Sequence, residues 1–357
     1  MIRIGNLCKD FRLSDRIVHA LRDVSLSISG GEFFVLLGAS GSGKTTLIRC
    51  VAGLENATSG EISLGDVTVF SSEKRLLIRP EERNIGMVFQ SYAVWPHLTV
   101  FENIALPLSK GRKRLPTAEV KRRVERVLEA VDLQGLESRP IPMLSGGQQQ
   151  RVSLARALAV EPDALLMDEP LSNLDARLRE KVRDQIRLLA KKFGITVLYV
   201  THDQTEAMAL ADRIAVMDRG RVEQVGPPRE LYANPSTPEI AEFFGDMNWL
   251  PGRRSGNGAV QTSIGPMRVN GRCANESLRL GIRPENVALS RTRLESVNAF
   301  RGTVETVTFL GERQSIVVDV KGTKIVLHAN GALELGGNDV WIDLPEAAIL
   351  TFPNQEQ

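Results

Sequence analysis

The run Gly38-Ala39-Ser40-Gly41-Ser42-Gly43-Lys44-Thr45-Thr46 contains the residue types that hold a polyphosphate. Glycines let a backbone wrap a phosphate so that several N–H groups point inward. A helix opening directly behind such a loop adds the positive end of its dipole. Lys44 supplies a charge for the β and γ phosphates, and Thr45 a hydroxyl for Mg²⁺. Further along, Ala164-Leu165-Leu166-Met167 delivers Asp168 and Glu169 from an apolar run. Asp168 is then a metal ligand, direct or through water, and Glu169 can orient or deprotonate an attacking water. Gln90 ends the run Ile85 to Phe89, from which its amide can reach Mg²⁺ or the water; an ordinary surface glutamine is the alternative. His202 follows Val197 to Val200 and precedes Asp203. There a hydrogen bond to the γ phosphate and a satisfied structural histidine are both open readings. Together these residues describe Mg²⁺-dependent hydrolysis of a nucleoside triphosphate. The loop alone does not separate kinases, GTPases and transport ATPases.

That chemistry requires a strand before the loop and a helix behind it, and the chain supplies both. Phe33 to Leu37 reads as a buried strand, and Thr45 to Gly53 as a helix stopped near Gly53. Residues 2–28 read as short strands with turns, and Gly60 to Phe70 as another strand pair. Residues from about 91 to 150 read as mostly helical, with an apolar face at Val120, Val124, Val127, Leu128 and Val131. Beyond them, helices at Leu154–Val160, Leu178–Lys192 and Thr205–Ala211 alternate with strands at Ala164–Met167, Thr196–Val200 and Ile214–Met217. The alternation implies an α/β core with a largely parallel sheet. After about residue 235 the texture changes, with Pro235, Pro238, Gly245, Pro251, Gly252, Gly256 and Gly258 punctuating a connector. Short β-rich runs follow at Leu278–Ile282, Gly302–Phe309, Ser315–Val320 and Ile325–His328, as in a small barrel or sandwich. The expected boundary lies near 240.

With 357 residues the chain is long enough for two domains. A net charge of +2 gives no strong bias toward nucleic acid. The basic runs Lys110–Arg114 and Lys121–Arg126 read first as solvated faces. Cys8, Cys50 and Cys273 have no metal-ligand spacing, and so sparse an odd number fits a reducing cytoplasm. His19, His97, His202 and His328 are too scattered for a zinc site. Lys9, Asp10 and Arg12 interrupt any secretory signal, and no apolar run reaches the roughly 20 residues of a membrane span.

In order along the chain, the phosphate loop, Gln90, Leu144-Ser145-Gly146-Gly147-Gln148, Asp168-Glu169-Pro170, Ser172-Asn173-Leu174-Asp175 and His202 resemble the motifs of ATP-binding cassette (ABC) ATPases. The resemblance covers residues 1 to about 240. It implies a P-loop NTPase cassette with a helical subdomain at about 91–150, and ATP with Mg²⁺ as cofactors. Glu169, His202, Lys44 and Gln90 take the catalytic roles, and Thr45, Gln90 and Asp168 those at the metal. In this family the signature Ser145, Gly146, Gly147 and Gln148 cap ATP held by another copy. A nest of N–H groups there, with a helix beginning near Gln149, suits that task. Neither set of nucleotide-handling residues would then complete a site within one copy. Asp175 would help form the contact between copies. Phe11 corresponds to the aromatic that stacks on adenine in relatives, with a core aromatic as the alternative.

Residues 241–357 resemble the TOBE-like accessory domain, with an oligonucleotide-fold barrel, of bacterial importer ATPases; Gly281-Ile282-Arg283-Pro284-Glu285 is its most recognisable phrase. Lacking a dense basic and aromatic pattern, it is not expected to bind nucleic acid. Ser91 to Val100 resembles the importer version of the segment that receives a membrane subunit. Tyr92, Trp95 and Leu98 would contact that subunit or pack inside the helical subdomain. The resemblance therefore implies an ATPase at the cytoplasmic face of the membrane. Its partners would be a second copy, two transmembrane permease subunits, and a periplasmic or lipid-anchored substrate-binding protein acting through them. The wording favours ferric iron as solute, then polyamine, with phosphonate, sulfate or sugar as further alternatives. A non-transport ABC ATPase is the remote alternative.

Overall fold

The computed structural model describes residues 1–13, 15–110, 114–255, 259–270, 275–331 and 337–354. Gly256, Gly258, Cys273 and residues 111–113 of the first basic run lie outside the described residues. The chain divides into two compact units, Met1–Leu231 and Tyr232–Gln357.

The first unit opens with β1 (Ile2–Leu13) and β2 (Arg16–Ile28), which pair antiparallel along their length. These are two long strands rather than the short ones expected: the ladder continues through register shifts where the sequence pattern alone suggests breaks. Next come β3 (Phe33–Leu37), α1 (Lys44–Ala52), β4 (Ser59–Leu64), β5 (Val67–Ser71), β6 (Leu76–Leu77) and β7 (Ile85–Val88). Three helices follow, α2 (Val100–Lys110), α3 (Thr117–Ala130) and α4 (Gly146–Ala159), the last starting earlier than the sequence pattern implies. The unit ends with β8 (Ala164–Asp168), α5 (Ala176–Phe193), β9 (Thr196–Thr201), α6 (Gln204–Leu210), β10 (Arg213–Asp218) and β11 (Arg221–Gly226).

The central sheet runs β11-β10-β3-β9-β8-β7, parallel throughout except for β11 at its edge. Every residue of β3, β8 and β9 is buried, as continuous apolar strands with both faces covered must be. A parallel sheet brings its strand C-termini to one edge, and ligands gather there. At that edge β3 leads into the phosphate loop, β7 toward Gln90, β8 into Glu169 and β9 into His202.

Local chemistry fixes the helices behind this edge. Gly53 ends α1 in the left-handed region, and the buried Arg83 guanidinium donates to the last carbonyls of α1, Cys50 O at 2.9 Å and Val51 O at 2.7 Å. On α3 the buried stripe is Val120, Val124, Val127 and Leu128. At the start of α4, Ser145 Oγ accepts from Gln148 N while Gln148 Oε1 accepts from Ser145 N. That reciprocal capping box is why the helix begins at Gly146 and not near Gln149.

The second unit holds α7 in part (Pro228–Ala233), α8 (Pro238–Phe243) and the strands β12 (Asn248–Arg254), β13 (Ala259–Thr262), β14 (Gly265–Arg268), β15 (Ser277–Ile282), β16 (Ala288–Ser290), β17 (Ala299–Phe309), β18 (Arg313–Val320), β19 (Thr323–Asn330), β20 (Asp339–Asp343) and β21 (Leu350–Pro353). They form two five-stranded antiparallel sheets, β14-β13-β12-β15-β21 and β16-β20-β17-β18-β19. Leu250, Leu280, Ile316, Val318 and Ile342 belong to one core shared by both sheets. Asn248 ties them together, donating to Val326 O and accepting from Val326 N at 2.7 Å each.

Candidate active site

The phosphate loop lies between β3 and α1. Gly43 caps α1 with φ of 103°, a conformation that L residues avoid. A Cβ there would meet Ala20 O at 2.6 Å, so glycine also admits the β2 backbone against the loop. Gly220 N donates to Ser42 O at 3.0 Å, and Arg22 N to Gly220 O at 2.8 Å, locking β2 and the β10–β11 turn onto the same loop.

Lys44 is 4% exposed. Its Nζ donates to Gly38 O and Ala39 O at 2.8 Å each and to Ser42 Oγ at 3.3 Å. Burial lowers its pKa, while Glu169 and Asp168 act in the opposite direction. Thr45 Oγ1 donates to Asp168 Oδ1 at 3.0 Å. Burial raises the Asp168 carboxyl, and the Thr45 hydrogen bond counters it.

Glu169 stands at the centre. Its φ of 46° lies in the left-handed region, an uncommon backbone state for a non-glycine residue. Its N–H donates to Val200 O at 3.0 Å, holding the turn against β9. Gln90 Nε2 donates to Glu169 Oε2 at 3.4 Å, and His202 Nδ1 stands 3.3 Å from Oε1. One carboxylate is thus bracketed by two of the sequence's candidates. Asn173 Nδ2 donates to Gln90 O at 2.8 Å, tying the loop after β8 to the loop after β7.

A pocket of about 480 Å³ opens over this arrangement, lined by Ser40, Gly41, Gly43, Lys44, Thr45, Thr46 and Glu169. Its remaining wall is Val18, His19, Ala20, Arg22 and Arg219, which sequence reasoning did not select. No motif marks them, because strand pairing and the Gly220 turn bring them there. The Asp10 carboxylate stands 2.7 Å from His19 Nδ1 and so orients the ring. Phe11 is not among the lining residues; its ring lies 4.6 Å from Lys9 Nζ. Ser145, Gly146, Gly147 and Gln148 also do not line the pocket. Ser145 and Gly146 are exposed at the start of α4.

The residues fit ATP with Mg²⁺. A glycine cradle without Cβ atoms, a buried ammonium and a hydroxyl–carboxylate pair of hard oxygen donors are the groups a metal-bound triphosphate needs.

Residues 21–172 match the family model described as ABC transporter, and residues 280–352 that described as TOBE domain. The chain is 42% identical over 326 residues to the trehalose/maltose import ATP-binding protein MalK of Thermococcus litoralis, covering 87% of this chain and 86% of that one. It is 44% identical over 310 residues to the Fe(3+) ions import ATP-binding protein FbpC 1 of Pectobacterium atrosepticum, covering 86% and 85%. Among solved structures, the dimeric bacterial ABC transporter cassette MJ0796 superposes with a TM-score of 0.56 at 34% identity, over 64% of this chain and 99% of that one.

Proposed function

This chain belongs to the ABC transporter family as an importer-type ATPase, and we propose that its solute is ferric iron. It hydrolyses ATP with Mg²⁺ to drive transport. The observation that carries the catalytic assignment is Glu169, bracketed by Gln90 and His202 beside the Lys44 and Thr45–Asp168 groups.

In this reading Lys44 and the loop N–H groups grip the β and γ phosphates and offset charge as the phosphoryl group transfers. Thr45 and Asp168 would hold Mg²⁺, which when bound would supply Lewis-acid stabilisation of the phosphate oxygens. Glu169 accepts the proton of the attacking water and keeps it in line, Gln90 fixes one oxygen of that carboxylate, and His202 fixes the other and reaches the γ phosphate. Ser145, Gly146 and Gly147, at a helix N-terminus, cap the nucleotide of a second copy in a symmetric dimer. The solved relative is dimeric, which supports this arrangement.

No helix among the described residues is long and apolar enough to cross a membrane. We assign the pathway to two permease subunits, with a periplasmic or lipid-anchored binding protein presenting the solute, and place this chain at the cytoplasmic face. Ferric iron is supported by the FbpC relative and by the importer-like wording of Ser91–Val100. The MalK relative supports a sugar as the second reading. Uptake decides between them. Deleting this chain from its cell should abolish ferric-iron uptake and leave trehalose and maltose uptake intact; the reverse pattern rejects iron.

A further inference from the structure

Arg179, in the first turn of α5, belongs to none of the motifs above, yet it touches two of the loops that carry them. Its Nη2 donates to Leu174 O at 3.1 Å, in the Ser172–Asp175 loop. Its Nη1 donates to Asp203 Oδ2 at 3.4 Å, next to His202. Its Nε is buried with no hydrogen-bond acceptor and stands 3.8 Å from Glu206 Oε1. Asp203 in turn caps α6, its Oδ1 accepting from Glu206 N at 3.1 Å. Glu206 is 5% exposed, and its Oε2 accepts from both Tyr199 Oη and Thr201 Oγ1 at 2.8 Å. Arg179, Asp203 and Glu206 line a cavity of about 40 Å³ together with Glu169 and His202.

A guanidinium presents its donors in a rigid plane, so it fixes the relative placement of whatever accepts from it. Here the acceptors are the backbone of one loop and the side chain of another. The fork therefore couples the loop that follows β8 to the corner that follows β9. We propose that Arg179 is a positioning residue for hydrolysis: it holds the Ser172–Asp175 loop and the His202–Asp203 corner as one piece, so that His202 and Glu169 follow that loop when it moves. The proposal rests on the reading of Glu169 and His202 as catalytic and adds the element that aligns them. A lysine would keep the charge toward Asp203 and Glu206 but not the planar fork that reaches Leu174 O.

The test is steady-state MgATP hydrolysis with direct measurement of MgATP binding, on Arg179→Ala, Arg179→Lys, Asp203→Asn and the double variant Arg179→Ala/Asp203→Asn. Misplacing a catalytic group by about 1 Å can cost on the order of 100-fold. Arg179→Ala should lose that much kcat with MgATP affinity within about twofold of the parent, and Arg179→Lys should recover part of it. Asparagine still caps α6 while removing the charge, so Asp203→Asn should lose less. The double variant should be no worse than Arg179→Ala, because both changes remove one connection. A normal kcat in Arg179→Ala overturns the proposal. So does a parallel fall in kcat and nucleotide affinity, or a double variant whose loss is the product of the two. Glu169→Gln in the same assay separates this from the underlying reading. If it turns over normally, the catalytic assignment has failed; if it is inactive while Arg179→Ala is normal, only the positioning role has failed.

Discussion

Two glycine-containing turns open two helices in the first unit, and they are finished to different degrees. At the phosphate loop the key functional groups have partners in the same chain. Lys44 is buried among carbonyls, Thr45 is bonded to Asp168, and Gly43 receives the β2 backbone. At the signature loop, Ser145 and Gly146 are exposed, and the capping box that orders α4 is local to Ser145 and Gln148. The glycines differ in the same sense. A Cβ on Gly43 would strike backbone, whereas one on Gly147 would meet the end of a flexible side chain, Leu178 Cδ2, at 2.9 Å. One turn walls a pocket within this chain; the other leaves its serine and first glycine facing solvent.

Four substitutions break or sharpen that contrast. Lys44→Ala removes the buried charge of the loop, and we predict that hydrolysis is abolished together with tight nucleotide binding, measured by turnover and calorimetry. Retained tight MgATP binding would mean the loop is not the phosphate site. Glu169→Gln leaves the hydrogen bond from Gln90 possible but provides no proton acceptor. Turnover should drop roughly 10²–10⁴-fold with MgATP binding intact. Ser145→Arg should reduce turnover about 10²-fold while each monomer still captures ATP, because the change sits outside the pocket lining. Normal activity in a dimer with both copies substituted would show that the signature turn does not complete the site. Gly147→Ala should be mildest, costing about 1 kcal/mol in denaturant unfolding as Leu178 shifts aside. A loss of several kcal/mol would make this turn as intolerant as the phosphate loop and erase the contrast.

Much of the fold was legible because its strands are continuous apolar runs ended by turn residues. Phe33–Leu37, Ala164–Met167 and Thr196–Val200 read as buried strands, and their alternation with helices implied a parallel sheet. Helix starts were less legible. The beginning of α4 depends on Ser145 and Gln148 exchanging hydrogen bonds, a cue that the apolar period starting at Leu154 hides. In the site, the residues at strand ends could be singled out because the sheet carries each to one edge. Arg22, His19 and Arg219 could not. They reach the pocket through the β1–β2 ladder and the Gly220–Ser42 hydrogen bond, neither of which leaves a periodic trace.

Residue types and their spacing were enough to single out phosphate chemistry, a hydroxyl and a carboxylate suited to a divalent cation, and alternating strands and helices, because each is written in a short stretch of chain; the meeting of Thr45 with Asp168 across 123 residues is tertiary. Tertiary structure alone decided that His19, Arg22 and Arg219 wall the pocket and that Arg179 joins Leu174 to Asp203. Such contacts arise from strand register and helix placement over long separations, and a one-residue slip in pairing would turn the strand-borne ones to the opposite face.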